Sequence, residues 1–83
     1  MSIESLKAAK QRTIGSKQTA KAIEKGTARL VFVAKDADEF VTRDIIRACR
    51  ERQVELIFVD SMAALGNACG IEVGAATAAI VDP

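Results

Sequence analysis

A chain of 83 residues has room for one hydrophobic core, and with no histidine it lacks the commonest general base and metal ligand. Apolar residues make up 49% and charged residues 28%, the net charge is +1, and no apolar run approaches the ~20 residues that a membrane span requires. The opening "MSIESLKAAKQR" has neither the apolar core nor the small-residue cleavage pattern of a signal peptide, so a cytoplasmic protein without membrane contact is expected, with its two cysteines, Cys49 and Cys69, reduced and buried.

Ile3, Leu6 and Ala9 recur every third residue among lysines, which predicts a short amphipathic helix capped by Ser2 and ending near Gln11. "RTIGS" is a brief extended piece. The next helix runs through "SKQTAKAIEK", with Ser16 as N-cap, Ala20, Ala22 and Ile23 facing a core, and Gly26 as its stop. "RLVFVAK", Arg29 to Lys35, is β-branched and aromatic without a break, the pattern of a strand buried on both faces.

"DADE" then places carboxylates at a helix start, and Val41, Ile45, Ala48 and Cys49 share the apolar face of that helix. Its other face, with Arg43, Arg47, Arg50 and Glu51, reads first as solvated surface. "VELIFVD", Val54 to Asp60, repeats the buried-strand pattern, and Asp60 or Ser61 caps a helix that Gly70 ends. "AATAAIV", Ala75 to Val81, closes the chain as a last strand. The alternation predicts a single α/β domain, helices on both faces of a central sheet of about four strands.

Charge is segregated along the chain. Residues 1 to 35 hold eight basic side chains against two acidic ones, a net +6, and residues 36 to 83 hold four arginines against nine acids, a net −5. A basic side suited to phosphate follows. It is sharpest at "GSKQTAKAIEKG", where Lys17 opens a helix whose unpaired amides already favour an anion. Lys17 and Lys21 share a face, Gln18 lies beside them, and the amides after Gly15 add donors, a set that suits a phosphate backbone and base edges.

"GSKQT" superficially matches the end of a phosphate loop, but the required glycine five positions earlier and the preceding buried strand are missing, so nucleotide hydrolysis is not supported. A second candidate is "GIEVGAA", Gly70 to Ala76. Its Ile71 and Val73 either tuck under the domain or present a pliant apolar surface to unstacked bases. With no tyrosine or tryptophan and only three phenylalanines, the composition argues against an aromatic stacking platform, which leaves shaped RNA as the target.

Three segments, "GSKQTAKAIEKG", "LVFVAKDADE" and "LGNACGIEVGAATAAI", together resemble in order and spacing the kink-turn-binding ribosomal proteins of archaea and eukaryotes, the L7Ae type, and most of all its small bacterial YbxF branch. The resemblance covers nearly the whole chain. It implies a three-layer α/β/α sandwich with a mixed sheet, and binding to RNA bent at a three-nucleotide bulge followed by tandem sheared G·A pairs. It also implies roles by position. Lys17, Gln18 and Lys21 would read guanines, Gly15 and Ser16 would bring backbone close, and Lys25 would meet phosphate. Ile71, Glu72, Val73 and Gly74 would cover the bulge.

The implied protein is a monomeric binder of ribosomal or riboswitch RNA, with the ribosome as a further partner, no cofactor and no enzymatic activity. Two positions depart from the pattern. Lys17-Gln18 stands where archaeal and eukaryotic members carry Asn-Glu, and Met62 stands where many carry lysine, which implies lower affinity or steeper salt dependence. A second reading makes the arginine-bearing face from Arg43 to Arg52 a protein-docking surface on the ribosome.

Overall fold

The computed structural model describes residues 3–82. Eight elements follow in chain order: α1 (Ile3–Ala8), β1 (Arg12–Ile14), α2 (Ser16–Lys25), β2 (Ala28–Ala34), α3 (Glu39–Glu51), β3 (Glu55–Val59), α4 (Met62–Ala68) and β4 (Thr77–Val81). The cap expected of Ser2 lies outside the described residues. The strands form one mixed sheet in the order β1-β4-β2-β3, with β2 and β3 parallel and β4 antiparallel to both β1 and β2.

Unbroken apolar character in β2 has a direct structural cause. Its alternate residues serve two cores: Leu30, Phe32 and Ala34 pack with Leu6 of α1 and Leu65 and Ala68 of α4, whereas Val31 and Val33 pack with Ile23 of α2 and Ile45 and Cys49 of α3. Helices therefore cover both faces, the α/β/α sandwich expected. Burying Phe32 or Ile23 completely contributes about 1.5–3 kcal/mol each. Cys49 and Cys69 are free thiols in these two cores, and burial raises the Cys49 pKa from 9.0 to about 11.

β3 departs from the expected pattern. It is an edge strand rather than one buried on both faces: only Val59 is buried, and Phe58 is 48% exposed. The reason is order in the sheet, since β2 alone flanks it. On α3, Val41 is exposed and Thr42 takes the core position, where its hydroxyl donates to the Asp38 carbonyl oxygen at 3.4 Å. The buried arc is centred on Thr42, Ile45 and Cys49, and Val41 falls at its margin.

Parallel and antiparallel pairing bring four connections to one end of the sheet. β1, β2 and β3 all finish there and β4 begins there, so the β1–α2, β2–α3, β3–α4 and α4–β4 connections lie together. Both sequence-predicted site segments are on that end.

Candidate nucleic-acid interface

The α2 start is built by Gly15 rather than by a serine cap. Gly15 adopts φ 94°, ψ 158°, a conformation that side-chain-bearing residues rarely reach, and no side chain caps the helix. Ser16 is thus the first helical residue, not the N-cap. The Gly15 amide donates to the Thr77 carbonyl oxygen at 2.9 Å and its own carbonyl accepts from the Thr19 amide at 3.0 Å. The amides of Ser16, Lys17 and Gln18 remain without a partner among the described residues.

Hydroxyl contacts hold this helix end against the sheet. Thr77 Oγ1 donates to Ser16 Oγ at 3.3 Å, and the hydroxyls of Thr13 and Thr19 lie 3.0 Å apart. Thr19 and Thr77 are fully buried. Neither stands out along the chain, because Thr19 meets its partner on β1 and Thr77 reaches α2 from the distant β4; a threonine on the apolar face of α2 is the signal that was there to use.

Lys17 and Lys21 are exposed on the side of α2 away from Ala22 and Ile23, and Gln18, one turn before Ala22, is exposed at the helix start. Lys25, also exposed, continues the same flank about 12 Å beyond Lys17 along the axis at about 1.5 Å per residue. No acidic side chain among the described residues pairs with any of these three lysines. Two arginines of the amino-terminal half are engaged within the fold: Arg12 donates to the carbonyls of Leu6 at 3.1 Å and Cys69 at 2.9 Å, and Arg29 pairs with Asp82 at 3.3 Å.

Acidic residues of the second half share this end of the sheet, so the two charge blocks interleave in space. The fold occupies most of those carboxylates. Asp36 accepts from the Met62 amide at 2.8 Å, Asp38 from the Phe40 amide at 2.8 Å, and Asp60 meets Lys35 at 3.6 Å. Their charge is drawn onto helix starts and a lysine, and the α2 start keeps its positive potential.

The Gly70–Ala76 connection begins where Gly70 turns with φ 77°. Ile71 donates its amide to the Gly66 carbonyl oxygen at 3.0 Å and is half-buried against the core cluster that includes Leu65. Glu72, Val73 and Gly74 are exposed, Val73 to 70%. Ile71 thus tucks under the domain, and Val73 is left on the surface. Gly66 lets the loop press down, since a Cβ there would collide with the Val73 carbonyl oxygen and lie 3.1 Å from Gly74 Cα. Ala75 donates to the Met62 carbonyl oxygen at 3.0 Å, and Met62 itself packs against the core, so it offers no phosphate contact.

Seen as a whole, the predicted residues form two neighbouring groups joined at the Gly15–Thr77 bond: the α2 start with Gly15, Ser16, Lys17, Gln18 and Lys21, and the loop tip with Glu72, Val73 and Gly74. Ile71 supports that tip from beneath, and Lys25 lies at the far end of α2. Among the described residues, no group of three or more Cys, Asp or Glu side chains could hold a metal ion, and no helix is long and apolar enough to cross a membrane.

The family model described as the ribosomal protein L7Ae/L30e/S12e/Gadd45 family matches residues 2–83. An RNA-binding protein of Caldanaerobacter subterraneus subsp. tengcongensis is 46% identical over 71 residues, covering 86% of this chain and 87% of that protein. One of Bacillus pumilus is 44% identical over 81 residues, covering 98% of this chain and 99% of its own. Among solved structures, the Giardia lamblia 15.5kD RNA binding protein superposes with a TM-score of 0.86 at 28% identity, covering 98% of this chain and 68% of that one. The chain belongs to the ribosomal protein L7Ae/L30e/S12e/Gadd45 family.

Proposed function

We propose that the chain is an RNA-binding protein that recognises and stabilises kink-turns, acting in the cytoplasm as a single monomeric domain with structured ribosomal or riboswitch RNA as its target and without catalysis. The names of its relatives support RNA as the ligand. One observation carries the finer reading: a helix start with three unpartnered amides, Lys17, Gln18 and Lys21 lies beside an exposed loop tip at Glu72, Val73 and Gly74, tied to it through Gly15 and Thr77.

Such a pair of surfaces matches the two unlike parts of a kink-turn. Sheared G·A pairs offer guanine O6 and N7 acceptors, which lysine donors and the Gln18 amide can meet. Splayed bulge nucleotides offer π-faces, which Val73 and the flat backbone at Gly74 can cover. Lys25, farther along α2, is placed to follow the phosphate backbone. Binding of both parts at once favours the bent RNA over the extended one, because only the bent form presents them together.

Titration of a kink-turn duplex, against the same duplex with its G·A pairs replaced by Watson–Crick pairs, tests this reading. Strong preference for the intact motif is expected; equal affinity for the two duplexes overturns it.

A further inference from the structure

The opposite edge of the sheet carries a second set of unused groups. Lys35 donates its amide to the Val59 carbonyl oxygen at 2.8 Å, so in the parallel pair Glu55, Ile57 and Val59 turn their backbone groups toward β2. Leu56 and Phe58 therefore turn theirs outward, where no strand follows. Their side chains stand on the α3 face, since Leu56 pairs with Val31 and Phe58 with Val33, both in the α2–α3 core.

α3 packs on β3 and α2, and its end turns Arg52 to the Glu24 carbonyl oxygen of α2 at 3.2 Å. Arg43, Ile46 and Arg50 lie on the other flank by helical spacing, over the free edge, with Arg47 beside them. A hollow of about 460 Å³ runs along this flank, with Thr42, Ile46 and the three arginines along its length and Glu39 and Glu51 at its two ends. Arg43 lies over the exposed Phe40 ring, 5.5 Å from its centroid. No carboxylate among the described residues is paired with Arg43, Arg47 or Arg50.

We propose that the β3 edge and the arginine flank of α3 together dock an extended acidic segment of a protein partner, which adds to the sheet as a fifth strand. Backbone bonds to Leu56 and Phe58 would hold the segment, apolar side chains would cover Phe58, and carboxylates on the same face would reach Arg43 and Arg47. Charge selects this occupant. A second copy paired antiparallel through β3 would set arginine flank against arginine flank across the two-fold axis. An RNA strand, with a phosphate at every nucleotide, would run against Glu39 at one end of the flank and Glu51 at the other, whereas a peptide can confine its carboxylates to the arginines between them.

The docking edge is separated from the α2 start by the width of the sheet, so this inference stands independently of the RNA reading. The test is an NMR titration of the RNA-free protein with a short peptide alternating valine and glutamate, and with its valine–lysine counterpart. Saturable shifts and slowed exchange at the Leu56 and Phe58 amides are expected with the acidic peptide, with affinity lowered about tenfold or more by exposed-site variant Arg47→Glu. Equal binding of both peptides, no binding of the acidic one, or no effect of Arg47→Glu overturns the proposal. Concentration-dependent changes at Leu56 and Phe58 without peptide, or displacement of the peptide from them by duplex RNA, assigns the edge to another occupant and overturns it too.

Discussion

The starts of α2 and α3 share one end of the sheet and are furnished in opposite ways. At α3, Asp38 caps the Phe40 amide at 2.8 Å and Glu39 adds a carboxylate in the first turn. At α2 there is no side-chain cap, no acid in the first turn, and a lysine in second position. The first arrangement satisfies the orphan amides and the helix dipole from within the chain. The second leaves both to be satisfied from outside, which costs stability and supplies a place for a polyanion.

Breaking the support beneath the α2 side has the largest expected effect. Gly66→Ala forces a methyl group into the Val73 carbonyl oxygen, so chemical denaturation should show a loss of about 1–3 kcal/mol, and the displaced loop should weaken RNA binding as well. Lys21→Ala separates binding from folding. Calorimetric titration with a kink-turn should show a loss of about 1–3 kcal/mol if the lysine reads a base, a salt slope flatter by about one if it neutralises a phosphate, and an unchanged denaturation midpoint.

The α3 side should answer in reverse. Asp38→Ala removes a cap and should lower stability by about 1 kcal/mol in denaturation, with RNA affinity unchanged. The smallest effect is the sharpest comparison. Lys17→Glu gives α2 the carboxylate that α3 already has, and should raise stability by about 0.3–1 kcal/mol at low salt while weakening RNA binding, so the two measurements move in opposite directions.

Local patterns in the chain revealed most of this architecture. Leu30 to Ala34 read as a doubly buried strand because both faces of β2 are covered, and Gly26 and Gly70 marked helix ends because each takes positive φ. What escaped sequence reading depends on neighbours. The run through Leu56, Ile57 and Phe58 looks the same whether a strand is central or at an edge; strand order decides that. Ile71 and Val73 sit two residues apart in one loop, and only the close approach at Gly66 separates a supporting residue from an exposed one. Ser16 reads as a cap until Gly15 takes the unusual conformation that shifts the helix start by one residue.

For the candidate site, lysines at a helix start and glycines around an apolar loop were legible from residue type. The bonds joining them were not, because Gly15 to Thr77 and Ser16 to Thr77 span more than sixty positions of sequence. Nor was the fate of the carboxylates. Asp36, Asp38 and Asp60 look like an acidic cluster along the chain, yet each is drawn to an amide or a lysine that leaves α2 unopposed.

In the proposed complex the unsatisfied start of α2 and the loop tip receive the RNA together. Amide NMR of the protein titrated with a kink-turn duplex tests it most directly. The expected result is simultaneous, saturable shifts at Ser16, Lys17 and Gln18 and at Glu72, Val73 and Gly74, with the α3 start at Phe40 unmoved. Shifts centred on Arg43 to Arg50, with the α2 amides unchanged, would contradict it.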